Sequence, residues 1–424
     1  MIAADACPGI LDLHEARDGH VARIRLPGGY ASARRLSALA ALAARFGDGC
    51  VDLTARGNVQ LRGIRPGAAR ELAQRAASAG LLPSPAHDRA RNITASPLSG
   101  LAGHPDLRPL VLSLDRAIRA HPALAALPGR FLFCLDDGTG RAGLGACDVG
   151  LRWHSGEADL IVAGRHTGLR GPAARGISRA IAAARAFLDQ RAAAGGQRQA
   201  AAQPGQRQAA AQPGQRQAAA DQPGQRQAAA DQPGWRPAAP GSARVTGLPD
   251  GGAAVAAAVG GVLGDRVTDT VGRLPLGPVP DTSPLAVVAA PLARLTAPQL
   301  RLIARMVRSG EAARLTAAGR VVLPLAGPVD AALARLAGAG LLVCDDHVLS
   351  AVTACSGMAC ASSLADVRSL ATRVPGLAAV HWAGCSRRCG LPADATAVVA
   401  TSAARFTSGD GAARRVLTMA ARPR

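Results

Sequence analysis

The stretch HVARIRLPGGY, beginning at His20, alternates polar and apolar positions up to a Gly-Gly break, the pattern of a short half-buried strand closed by a turn. The following SARRLSALAALAARFG is apolar-periodic at helical spacing. A second strand of this kind, SPLAVVAAPLARL, begins at Ser283 and leads into TAPQLRLIARMVRSG, where Thr296 and Gln299 have the spacing of a capping box and Pro298 falls in the first helical turn. Each pair is followed by a further strand and then by an alanine-rich helix that ends in glycine before Leu-Leu: AARELAQRAASAG in one case, DAALARLAGAG in the other. The pattern predicts α+β units.

The two series match in detail. VDLTARGNVQLRG (51–63) aligns with ARLTAAGRVVLPL (313–325), and the register continues until PGRFLFCLDDG (128–138) faces PGLAAVHWAGC (375–385). A tandem duplication, with two halves packed about a pseudo-twofold axis, is the expected architecture. Between them, residues 196–234 repeat a GQRQAAAQP-like unit four times. With Pro-Gly in every unit and little to bury, such a segment is expected to be a disordered linker. The predicted organisation is a half-domain at 8–80, an α+β domain at 81–192, the linker at 193–248, a second half-domain at 249–345 and a second α+β domain at 346–424.

Duplication makes differences between the copies readable. In the first copy Arg56, Asn58 and Gln60 are spaced to share one strand face, where the second has Ala318, Arg320 and Val322. Polar groups in such a row want water or a polar ligand. After the helix, the first copy has ARNITASPLSG, with Arg91 and Asn92; the second has AVTACSGMAC. One half is equipped for an anion and the other for a metal.

Composition narrows the function classes. The 424-residue chain exceeds the size of a single core, and its 2% aromatic content predicts cores of Ala, Leu and Val without aromatic anchors. The N-terminal segment has no signal-peptide pattern and no long apolar run follows, so a cytoplasmic, membrane-free protein is expected. All 49 cationic residues are arginine and the formal net charge is +20. That field favours polyanions, but the arginines are scattered and have no interleaved aromatic platform, which argues against nucleic acid. GTGRAG (138–143) fits a dinucleotide-binding glycine pattern but precedes further strands rather than a helix, and Asp136 and Asp137 read as turn formers.

Four of the nine cysteines are gathered: Cys355 and Cys360 form C-x4-C, then 24 residues intervene before the C-x3-C of Cys385 and Cys389. In a reducing compartment this is a ligand set for a [4Fe-4S] cluster, with structural zinc the alternative; zinc knuckles favour C-x2-C. Cys7, Cys50, Cys134, Cys147 and Cys344 are isolated in sequence and expected to be buried apolar thiols. His381 is expected to be a satisfied surface histidine, with a donor near the metal or an iron ligand as the alternatives. His87 and His347, at equivalent places in the two copies, read as structural.

The duplicated halves, the LTARGNVQLRGI strand, ARNI and the two cysteine pairs together resemble the nitrite/sulfite reductase superfamily. DACPGILDLH, VARIRLPGG, FLFCLDDGTG and LGACDVGLRW resemble, within it, the branch that hydroxylates the tetrapyrrole precorrin-3A with molecular oxygen in aerobic cobalamin biosynthesis. The resemblance covers nearly all the chain outside the linker. It implies ferredoxin-like half-domains, a [4Fe-4S] cluster on Cys355, Cys360, Cys385 and Cys389, and a tetrapyrrole seated over the ARGNVQ face. Arg56, Asn58, Gln60, Arg91, Asn92 and Arg130 are the implied substrate contacts, since a guanidinium fork suits carboxylates. A mononuclear non-haem iron and an external donor, ferredoxin or an NADH-linked reductase, are further implied partners. Two alternatives stay open: a sirohaem nitrite or sulfite reductase, and a non-catalytic iron–sulfur or tetrapyrrole-binding protein. The family pattern has C-x5-C in the first pair, so this chain's shorter spacing requires a changed loop path. Where the reductases carry two lysines near PGRFLF, this chain has Arg130 and Leu132.

Overall fold

The computed structural model describes residues 7–201, 243–409 and 415–418, apart from 270–271, 281, 283, 317–318, 375–378 and 393. Most of the repetitive linker, and Ala318, lie outside the described residues. The first half-domain comprises β1 (His14–Ala16), β2 (Gly19–Ile24), β3 (Tyr30–Ser32), α1 (Ala33–Phe46), β4 (Cys50–Leu53), β5 (Val59–Ile64) and α2 (Ala69–Ser78). It leads into β6 (Ile93–Ala95), α3 (Arg108–Ala120), β7 (Phe133–Asp136), β8 (Val149–His154), β9 (Glu157–Val162), β10 (Arg165–Pro172) and α4 (Ala173–Ala201). After α5 (Ala253–Ala257) the series recurs as β11 (Gly277–Pro278), β12 (Leu285–Ala289), β13 (Arg294–Thr296), α6 (Ala297–Met306), β14 (Ala312–Leu315), β15 (Arg320–Pro324) and α7 (Val329–Gly338). The last part holds β16 (Val352–Ala354), α8 (Val367–Arg373), β17 (Val380–Ala383), β18 (Thr396–Ala400), β19 (Arg405–Ser408) and β20 (Arg415–Thr418).

The sheets show how the copies interlock. One is ordered β1-β2-β5-β4-β13 and another β11-β12-β15-β14-β3, so each half-domain sheet is completed by a strand from the other copy. Arg294 pairs with Asp52 at one seam, and Arg314 with Tyr30 at the other. The remaining sheets, β6 to β10 and β16 to β20, have the same order: the first three strands run parallel and the last two antiparallel. α1 and α6 pack in one continuous core that includes Leu36, Leu39, Leu300 and Ile303, all fully buried. The local signals serve this packing. Ser32 caps α1, and at α6 the reciprocal bonds of a capping box join Thr296 and Gln299.

Two expectations change. The aliphatic half-domain core contains one ring, Phe46, but the flanking domains are built around rings: Phe131 lies 5.0 Å from both Phe133 and Phe187, and Trp382 lies 5.6 Å from Phe406. All five phenylalanines are buried, so scarcity directed rings to cores rather than removing them from cores. The boundary expected at 249 also falls inside a packed segment. Val245 and Leu248 are buried against the β6–β10 domain, and Val262 and Val267 donate backbone bonds to Thr167 and Gly164. Residues 245–267 therefore pack with the first α+β domain.

Candidate functional site

The strand expected across 51–63 is a hairpin. Thr54 and Asn58 close the turn, through Thr54 N–H to Asn58 O at 2.9 Å and Gly57 N–H to Thr54 O at 3.1 Å, and β5 begins only at Val59. Arg56 thus stands at the turn while Gln60 projects from β5, so Arg56, Asn58 and Gln60 do not share one strand face. The physical reason is a glycine: Gly57 has φ of 65°, and a Cβ there would meet Leu315 O of the other copy at 2.7 Å. Gly29 makes the same approach, at 2.3 Å.

Several predicted contacts are structural struts. Asn58 is 1% exposed; its Nδ2 donates to Asn92 Oδ1 at 2.8 Å and its Oδ1 accepts from Leu26 N–H at 2.9 Å. Asn92 donates on to Phe131 O at 3.0 Å. Arg91 is buried, and its charge is met by Asp115 at 2.7 Å, which also takes Arg119 at 3.1 Å. Arg56 and Arg130 stay together: Arg56 Nη1 donates to Arg130 O at 3.1 Å, and the Arg130 side chain is exposed. Burial, followed by the Arg244 guanidinium, lowers the Arg56 pKa to about 10.

The candidate surface is a row of which the sequence pattern points only to Gln60. Arg23 of β2 is in register with Gln60 of β5, which is in register with Asp52 of β4. Arg23 donates to Gln60 Oε1 and, through Nη1, to Cys7 Sγ at 2.8 Å. At the other end of the row Asp52 Oδ1 accepts from Arg368, whose Nε donates to Cys355 O at 3.0 Å. Arg62, two residues beyond Gln60 and hence on the same face, is held by Asp18 at 3.0 Å and donates to Ser356 Oγ and Ala359 O. One sheet face therefore joins an arginine group to the cysteine loops. Arg25 adds to that group: it is 2% exposed, donates to Cys7 Sγ and Gly129 O, and leaves Nε and Nη1 buried without partners. The alternation Arg23, Arg25 in VARIRL was the available sequence signal, and Cys7 is no plain core thiol. Of the other isolated cysteines, Cys134 and Cys147 are buried, Cys50 is half-buried and Cys344 is exposed, which corrects the expectation for the last two.

The four clustered cysteines come together on two touching loops. Cys355 follows β16, a 3-10 turn at Gly357–Ala359 carries the chain to Cys360, and Cys385 and Cys389 follow β17. A single tight turn thus spans the C-x4-C spacing of the first pair. Gly384 makes the loop contact possible, since a Cβ there would lie 1.9 Å from Ser363 Oγ, and its N–H donates to Cys355 Sγ at 3.2 Å. Burial first, then the Cys385, Cys355 and Cys360 thiols, raise the Cys389 pKa. Among the described residues no three His, Cys, Asp or Glu side chains close on a single ion. The four thiols share one neighbourhood, and Cys355 Sγ accepts backbone N–H bonds from Gly357 at 3.4 Å and Gly384 at 3.2 Å, as a thiolate ligand would. His381 is not on the surface: it is 1% exposed, its ring nitrogens contact Thr353 Oγ1 at 2.9 Å and Cys389 O at 3.1 Å, and burial lowers its pKa to about 4. With both nitrogens occupied it holds the second cysteine loop in place.

Comparison with known proteins agrees with this architecture. Residues 14–79 match the nitrite/sulfite reductase ferredoxin-like half domain. The structure of the Mycobacterium tuberculosis NirA protein superposes with a TM-score of 0.66 and 18% identity, over 92% of this chain and 74% of that one. The fold is thus of the tandem nitrite/sulfite reductase type. In sequence the chain is similar to a precorrin-3B synthase of Sinorhizobium sp, 32% identical over 149 residues, which is 35% of this chain and 31% of that protein. It is also similar to a ferredoxin–nitrite reductase of Synechococcus elongatus, 33% identical over 126 residues, 28% of this chain and 25% of the relative. The chain therefore spans about a third or less of the curated relatives it matches. No helix among the described residues is long and apolar enough to cross a membrane.

Proposed function

We propose that this protein hydroxylates precorrin-3A to precorrin-3B with molecular oxygen, in aerobic cobalamin biosynthesis. The observation that carries the reading is the single sheet face running from Cys7, Arg23 and Gln60 through Asp52 to Arg368 and Cys355. A tetrapyrrole laid over that face would meet cations at one edge and the cysteine loops at the other. Arg23, Arg25, Arg56 and Arg130 would take its carboxylates, with Gln60 orienting Arg23. Asn58, Asn92 and Arg91 would act behind them, fixing the hairpin against the first α+β domain. Cys355, Cys360, Cys385 and Cys389 would hold a [4Fe-4S] cluster, which when bound supplies one-electron transfer from an external donor. Arg62, Arg17 and Arg368 keep the first cysteine loop on the sheet, each by a bond to a loop carbonyl.

The second reading, a sirohaem-dependent nitrite or sulfite reductase, is favoured by the nitrite reductase relatives. Against it, Leu132 is 6% exposed within an apolar cluster, so the loop that carries Arg130 offers no second cation to a small oxyanion. Anaerobic purification followed by iron and sulfide analysis, absorption spectra and oxygen uptake with precorrin-3A separates the readings. About four irons and four sulfides, no sirohaem band and precorrin-dependent oxygen uptake are expected. A sirohaem band with nitrite or sulfite reduction would replace the proposal by the second reading. Substrate binding without oxygen uptake would leave a non-catalytic tetrapyrrole-binding protein.

A further inference from the structure

Cys7 presents a sulfur held between two cations. It lies on the segment before β1, where Asp88 Oδ2 accepts from Ile10 N–H at 2.5 Å and Leu11 N–H at 3.2 Å, and Gly9 O accepts from Arg23 N–H at 3.1 Å. Those bonds fasten the segment to β2. Arg23 and Arg25, two apart on that strand and so on one face, then reach the same atom: Cys7 Sγ accepts from Arg23 Nη1 at 2.8 Å and from Arg25 Nη2 at 3.3 Å.

Acceptors are scarce around this pair. Among the described residues no carboxylate bonds to either guanidinium: besides the sulfur, Arg23 has Gln60 Oε1 and Arg25 has Gly129 O at 3.3 Å. Asp88 is bonded to the N-terminal segment and acts on Arg25 only through space. Arg25 is 2% exposed, and its Nε and Nη1 are buried without partners. Sulfur is a weak acceptor, and leaving the N–H groups of a buried cation unpaired is costly. The group that satisfies them carries negative charge on oxygen and fits where Cys7 itself is only 7% exposed. Oxygens attached to the sulfur meet both conditions, because they need no room for a separate ligand.

We propose that Cys7 is an oxidation site, converted by hydrogen peroxide to a sulfinic acid whose ionised oxygens are held by Arg23 and Arg25. One peroxide turns Cys–SH into Cys–SOH and water: its O–O bond breaks, an S–O bond forms, and sulfur gives up two electrons to the peroxide oxygens. A second peroxide turns Cys–SOH into Cys–SO2H and water in the same way, and the acid proton leaves to solvent. Selectively reactive cysteines lie beside cations, which is the setting of Cys7; Cys344 has exposure without it. The oxidised sulfur takes donors that the proposed function gives to tetrapyrrole carboxylates, so oxidation should inhibit substrate binding. That consequence rests on the tetrapyrrole reading; the oxidation does not.

Peroxide titration of the full chain, quenched with catalase and read by peptide mass, tests the site. A gain of two oxygens at Cys7 is expected at a dose that leaves Cys344 reduced, a comparison that needs no variant. Arg23→Gln should slow the gain about tenfold, and Arg116→Gln, at an exposed arginine on α3, should leave it unchanged. Oxidation of Cys344 ahead of Cys7, or an equal rate in Arg23→Gln and the parent chain, overturns the assignment. Fluorescence quenching by uroporphyrin, an octacarboxylate, reads the consequence: the oxidised chain should bind it about tenfold more weakly, and peroxide should have no such effect on Cys7→Ala. Unchanged uroporphyrin binding after oxidation of Cys7 overturns the inhibition. A chain that oxidises at Cys7 but never binds uroporphyrin keeps this site and loses the tetrapyrrole reading.

Discussion

Single side chains here do unequal jobs that look alike in the sequence. Arg23 and Arg91 are both arginines near the same sheet, yet Arg91 is neutralised by Asp115 while Arg23 is held by a neutral glutamine and a thiol. Arg23→Ala is therefore expected to weaken binding of a carboxylate-bearing tetrapyrrole about tenfold or more with little loss of stability, measured by fluorescence quenching and thermal melts. Asn58→Ala should do the reverse. It strands Asn92 Oδ1 and the Leu26 N–H in a buried place, so an unfolding cost of about 2–3 kcal/mol is expected in denaturant titration. Cys360→Ala is expected to lower iron and sulfide content below half and abolish the cluster's EPR signal, whereas Cys344→Ala, at an exposed thiol outside the group, should alter neither.

At the scale of elements, the seams between copies are where small residues matter. The β4–β5 turn and the turn before β3 both bring glycine against Leu315 O, so Gly57→Ala must open the seam or strain the backbone. A loss of about 1–3 kcal/mol is expected, visible as a lowered melting temperature. Leu39→Ala removes a fully buried side chain at the α1–α6 contact and should cost about 2–5 kcal/mol. The helices themselves were readable from period and caps, because those signals are local: Ser32, Thr296 and Gln299 bond within their own first turns. The hairpin at 54–58 was not, because its Gly57 answers to a carbonyl more than two hundred residues away in the chain. Asn58 and Asn92, read as a ligand face, turned out to bond each other for the same reason: their partners arrive from different elements.

For the whole molecule, a net charge of +20 gives a long-range field that neutral contacts cannot. Association with a polycarboxylate tetrapyrrole is expected to slow about tenfold or more between low and physiological salt, measured by stopped-flow fluorescence, while dissociation changes less. The amino-acid sequence alone determined the duplication, the periods and caps of the half-domain helices, the arginine excess and the four-cysteine set, because each is a matter of composition, spacing or internal comparison. Only the tertiary structure decided that the halves exchange β3 and β13, that Arg91 is buried against Asp115, and that Arg23, Gln60, Asp52 and Arg368 form one line to Cys355. It likewise decided which buried arginines keep unpartnered N–H groups. Register between strands far apart in the chain sets which polar groups meet, and register is fixed by the packing of the apolar faces beneath them.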